Sequence, residues 1–224
     1  MAKATPIRVY LQQGRTRVFA CAVDWPGWCR RAKTGEEALE ALAEYVPRYA
    51  PVVARAGVAF PAHASESFEV VEIIPAPPAP GFSGVDFGTI DEPCKLDRLP
   101  LKGVEAKRVA AIVEASWATL DDVVASAPPE LRKGPRGGGR DRDKVADHVL
   151  GAEAAYARKL GLRHKQPALH DVQAIAALRS DIVASLRAGG DAPAIENGWL
   201  PRYAARRIAW HVLDHAWEIE DRSG

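Results

Sequence analysis

Residues 200–222, LPRYAARRIAWHVLDHAWEIEDR, read as one amphipathic helix whose apolar stripe carries two histidines. At ~100° per residue, Ala204, His211, Val212, His215 and Ile219 fall within roughly 60° of Ile208. His211 and His215, four apart, therefore share the face that a core would cover. An earlier segment, residues 141–160, DRDKVADHVLGAEAAYARKL, does the same with His148 among Val145, Val149, Ala152 and Tyr156. A buried neutral imidazole without a partner costs about 1–3 kcal/mol per unmade hydrogen bond. One divalent ion shared by His148, His211 and His215 removes that cost for all three. The plainer reading ties each ring to a carboxylate or a main-chain oxygen. Asp147 and Asp214 are the candidates for that role, or for accepting hydrogen bonds from metal-ligating rings. Glu153 and Tyr156, one to two turns past His148, are candidate proton donors beside the same site.

Working outward, residues 103–224 hold four helical segments, over about 104–125, 141–160, 169–188 and 200–221. Pro128 and Pro129 stop the first, Gly161 the second, and Gly189-Gly190 the third; Pro201 sits in the first turn of the fourth. Four such segments predict a four-helix bundle. A basic, glycine-rich loop, LRKGPRGGGRDR over 131–142, precedes the second helix. Arg132, Lys133, Arg136, Arg140 and Arg142 there are candidates for holding a carboxylate or phosphate at the mouth of the site. The last helix also bears a second apolar stripe, Trp210, Leu213 and Trp217. The N-terminal half, the connector or, through a homodimer, a second copy must cover it.

Residues 1–75 mix strand and helix. Ile7–Gln12, residues 16–23 and Phe68–Ile74 have strand composition, and Trp25-Pro26-Gly27-Trp28 is a turn. Thr34 with Glu37 forms a capping box before EEALEALAEYV, and a short second helix closes at Gly57. The expected order is ββαβ. Residues 76–102 are a proline-rich, irregular connector; Pro75 at its edge and Pro77, Pro78 and Pro80 within it forbid helix. The whole is an α+β chain.

The 224 residues carry a net charge of +1 and no apolar run of membrane-spanning length, which argues against membrane and nucleic-acid partners. No apolar export segment is read at the N-terminus, and Cys21, Cys29 and Cys94 form no C-x-x-C, so a reducing cytoplasm is expected. Abundant Ala, Arg, Gly and Pro with scarce Lys point to a GC-rich bacterial genome.

The placement of His148 on the second helical segment and of His211-x-x-x-His215 on the fourth resembles the DinB-like (YfiT-like) superfamily. That resemblance covers about residues 103–221. It implies a divalent metal (Zn, Ni or Fe) on these three histidines. It also implies transfer of a low-molecular-weight thiol or hydrolysis of a small substrate. The N-terminal D-W-P-G-W turn and T-G-E-E-A-L motif resemble the small HicB-like domain, which implies its fold and, as the alternative function, a non-catalytic regulatory or interaction role.

Overall fold

The computed structural model describes residues 5–78, 81–134 and 138–223; Pro80 and Arg136 lie outside them. Four strands, β1 (Ile7–Gln13), β2 (Val18–Ala22), β3 (Cys29–Ala32) and β4 (Phe68–Ile74), form one sheet in the order β3-β2-β1-β4. β1–β2 and β2–β3 are antiparallel, whereas β1–β4 is parallel. Two helices, α1 (Gly35–Glu44) and α2 (Val46–Arg55), make the crossover between β3 and β4. The N-terminal order is therefore βββααβ. The strand missing from the expected ββαβ is β3, whose CRRA sequence is too short and too charged to show the alternation that marks a strand. It forms because β2 offers it a ladder, with Cys21 opposite Cys29.

The capping box is in place: the Thr34 hydroxyl accepts from Glu37 N at 3.1 Å, and the Glu37 carboxylate accepts from Thr34 N. The Trp28 indole donates to Leu42 O at 2.8 Å, and the Tyr49 hydroxyl donates to Pro26 O at 2.8 Å, so the Trp-Pro-Gly-Trp turn is fastened to both helices.

The two central strands, β1 and β2, are buried on both faces, and the two-residue alternation sorts their side chains. Val9, Leu11, Val18, Ala20 and Ala22 face α1 and α2. Tyr10, Phe19, Cys21 and Cys29 face the other way, under Val85, Ile90 and Cys94 of the connector. The connector is more regular than expected. It holds two 3₁₀ turns, Gly84–Phe87 and Lys95–Arg98, and lies against the sheet.

Four longer helices follow: α3 (Gly103–Ser126), α4 (Arg142–Lys159), α5 (Val172–Ala188) and α6 (Pro201–Ser223). They share one apolar core, with Val109, Val113, Val145, Val149, Leu178, Ile182, Ile208 and Val212 inside it. α5 begins three residues later than the periodicity suggests, because Asp171 caps it by accepting from Ala174 N at 3.0 Å. Among the described residues no helix is long and apolar enough to cross a membrane.

α6 joins the two halves. Leu213 and Trp217 enter the cluster that holds Trp25, Trp28, Leu42 and Tyr49, and Trp210 enters the cluster beneath the connector. Trp210 meets Phe19 edge to face at 5.7 Å. The whole second stripe is thus buried inside this chain, which corrects the homodimer account: Trp210, Leu213 and Trp217 offer no surface to a second copy. Trp25 belongs to this patch, but Trp199 packs instead against Tyr156 and Tyr203. Gly27, at φ +93°, lets the turn approach α6. A side chain there would stand 2.7 Å from Leu213 Cδ1, so the left-handed conformation and the close contact require the same residue.

Candidate metal centre

α4 packs against α6, which brings the three histidines together. One nitrogen from each of His148, His211 and His215 lies within 4.8 Å of the other two. The ring centroids stand 5.1 Å (His148–His211), 5.0 Å (His148–His215) and 4.6 Å (His211–His215) apart. Nitrogens at about 2.0–2.1 Å from one ion stand roughly 3.3 Å apart in a tetrahedral shell, so the set must draw in by on the order of 1 Å. These three side chains could hold one ion.

The hydrogen bonds around them fit that role. His215 Nδ1 lies 2.8 Å from Glu218 Oε2. A ring that donates Nδ1–H to a carboxylate keeps its Nε2 lone pair for a cation. Glu218 is itself held by Arg222 Nη1 at 2.7 Å, and the His215 contact, then Arg222, keep its carboxyl below the usual range against the opposing effect of burial. His211 is buried, and its Nδ1 has no hydrogen-bond partner among the described residues. An orphaned imidazole nitrogen beside two other imidazoles is the kind of donor a cation satisfies. Burial first, and then the neighbouring His215, push the pKa of both His148 and His211 down. Both rings are therefore neutral and ready to ligate at neutral pH.

The pH dependence follows with a definite sign. His148 and His211 bind fewer protons folded than unfolded, so metal-free protein is most stable above the ordinary imidazole value of 6.5 and loses stability as pH falls below it. Thermal melts of chelator-treated protein between pH 7.5 and 5.5 should show a decline that His211→Leu flattens; identical slopes for the two proteins would contradict this.

The other expected residues divide. Asp214 does not serve a histidine: it accepts from Arg30 Nη2 at 2.6 Å. Asp147 accepts from Gln166 Nε2 at 2.9 Å, close enough to His148 to favour its protonated form slightly. Neither makes the histidine hydrogen bond expected of it. Glu153 is buried against Arg179, with Nε at 3.1 Å, and is removed from the site. It lies five residues from His148, about 140° around the helix, and so faces α5 rather than α6. Tyr156 does reach the site, its ring 5.6 Å from that of His211.

Of the basic loop, Arg132 Nη2 donates to Asp221 O at 2.7 Å, Lys133 pairs with Asp141, and Arg142 donates to Ala127 O and Asp143 at 2.8 Å each. These three fasten the loop to helix ends and do not face the histidines. Arg136 lies outside the described residues. Of these residues, Arg140 alone lines the cleft beside His148. With Lys144, Asp147, His148 and Gln166 it lines a cleft of about 780 Å³ that opens on His148. Glu218, unlike these, was not among the sequence candidates, although its three-residue spacing from His215 is a readable signal.

Set against protein-family models, curated proteins and solved structures, the chain has no match.

Proposed function

We propose that this chain is a divalent-metal-binding protein of the DinB-like kind, in which α3–α6 form the four-helix bundle and His148, His211 and His215 hold one ion. The activity we assign is metal-dependent transfer of a low-molecular-weight thiol, or hydrolysis of a small substrate. The observation that carries this reading is the convergence of three ring nitrogens from two helices within 4.8 Å. Three imidazole ligands are one short of a closed structural zinc site and match the protein share of a catalytic one. Such an ion would lower the pKa of a water or thiol placed in its open position.

The chain's own residues do the rest. Glu218 fixes the tautomer and orientation of His215. Burial keeps His211 neutral and water-poor. Arg140 and Lys144 line the mouth of the cleft together with Asp143 and Asp147, so its charges are mixed. The competing account, in which Asp147 and Asp214 satisfy the histidines, has to contend with both carboxylates being engaged elsewhere, by Gln166 and Arg30.

Elemental analysis of purified protein should return close to one transition metal per chain, with nitrogen scatterers at about 2.0–2.2 Å by X-ray absorption. A screen of electrophilic substrates with and without added thiol then separates transfer from hydrolysis. Metal-free protein that takes up no zinc, nickel or iron would end the reading.

A further inference from the structure

Along α6, Tyr203, Arg207, His211 and His215 follow one another at four-residue intervals, so Arg207 stands one turn, about 6 Å, from His211. Its guanidinium lies over Tyr156 at 5.5 Å and over Trp210 at 4.9 Å. Both of those rings also touch the His211 ring, at 5.6 and 6.1 Å. Trp199 lies against Tyr156 at 4.9 Å, the rings tilted, and meets Tyr203 edge to face at 5.2 Å, completing an aromatic wall. Within it, Arg207 Nε and Nη1 are buried with no acceptor among the described residues. Arg30 and Arg206 also leave one nitrogen unpaired, but each already holds a carboxylate, Asp214 and Asp97. Arg207 makes no ion pair within the described chain. A half-buried guanidinium with two unused N–H groups, beside a candidate metal centre, lacks the anion that a carboxylate oxygen would supply.

The geometry points to Arg207 as the anchor for a carboxylate on the ligand, whose other end, a thiol or oxygen, reaches the histidine site, of which His211 is the nearest member at one helical turn. The aromatic rings hold the short apolar linker between the two ends. The substrate class is therefore a small carboxylic acid with its metal-seeking atom separated from the carboxylate by a few carbons. This assignment rests on the metal-centre reading, which it extends.

The test uses the full chain loaded with cobalt(II), titrated with mercaptobutyrate and with the uncharged mercaptobutanol, and followed by the sulfur-to-cobalt absorption band. The wild type should bind the acid about tenfold more tightly or better, a preference that added butyrate suppresses by competition. Arg207→Gln should lose that preference, Arg207→Lys should keep part of it, and both should load cobalt like the wild type. Equal binding of acid and alcohol by the wild type, or a preference that survives in Arg207→Gln, overturns the anchor and leaves the metal centre standing. If no cobalt binds, the metal reading falls alone. Butyrate binding to the metal-free chain, read by tryptophan fluorescence, then decides: binding that requires Arg207 supports the anchor, and no binding overturns it. The wild-type preference and its competition by butyrate need no variant, so they test the anchor even where a substitution fails to fold.

Discussion

Asp97→Ala is expected to destabilise the protein by about 3–5 kcal/mol, which for a chain of this size lowers the melting temperature by on the order of 10 °C. Asp97 and Arg206 are both almost wholly buried, at 1% and 2% exposure. The pair is bidentate, with Nη2 to Oδ1 at 2.6 Å and Nη1 to Oδ2 at 2.8 Å. Asp97 Oδ2 also accepts from Cys94 N at 2.9 Å, Arg206 Nη2 reaches Val23 O at 3.3 Å, and the guanidinium lies 5.0 Å from the Tyr10 ring. One ion pair thus pins the connector, α6 and the sheet to one another. Removing the carboxylate leaves a guanidinium buried without its counter-charge, and that orphaned charge accounts for most of the loss. Replacing both partners, as Asp97→Leu with Arg206→Met, removes the orphan and should cost much less than Asp97→Ala alone. Thermal or denaturant melts of the three proteins check this. A single variant within 1 kcal/mol of wild type would mean that water reaches the pair and the connector is not firmly seated.

The second large effect concerns the metal. His211→Ala combined with His215→Ala should reduce bound metal from about one per chain to near none, since one imidazole cannot hold an ion against solvent. Glu218→Gln should be milder, weakening metal affinity by about 10–100-fold, because the ring it orients remains in place. A ligand present at a hundred times its dissociation constant raises folding stability by about 2.7 kcal/mol. Wild-type protein should therefore gain melting temperature on metal addition, Glu218→Gln should need more metal for the same gain, and the double variant should gain none. Competition against a chelator of known affinity measures all three. Full metal content in the double variant would place the ion elsewhere.

Much of the helical framework was legible in advance because its signals are local. Thr34 and Glu37 announce α1, Pro201 opens α6, and the histidine spacing on α6 follows from 3.6 residues per turn. β3 was not legible, since two arginines in four residues hide a strand whose only reason to form is its neighbour. Glu153 stands close to His148 in sequence, but its direction on the helix takes it to Arg179 of α5. Arg207 carries no local signal, because an arginine on a helix ordinarily ends in water, and only the tertiary structure sets this one against the rings of Tyr156 and Trp210.

By itself the sequence determined which face of each helix is apolar and where His148, His211 and His215 stand on those faces, because periodicity is a property of a few consecutive residues. Only the tertiary structure decided that α4 lies beside α6, that Glu218 rather than Asp214 serves His215, and that the second stripe of α6 is covered by the chain's own sheet and connector. Those choices depend on which distant segments exclude water from one another, and a desolvated charge takes whichever partner the packing brings within reach.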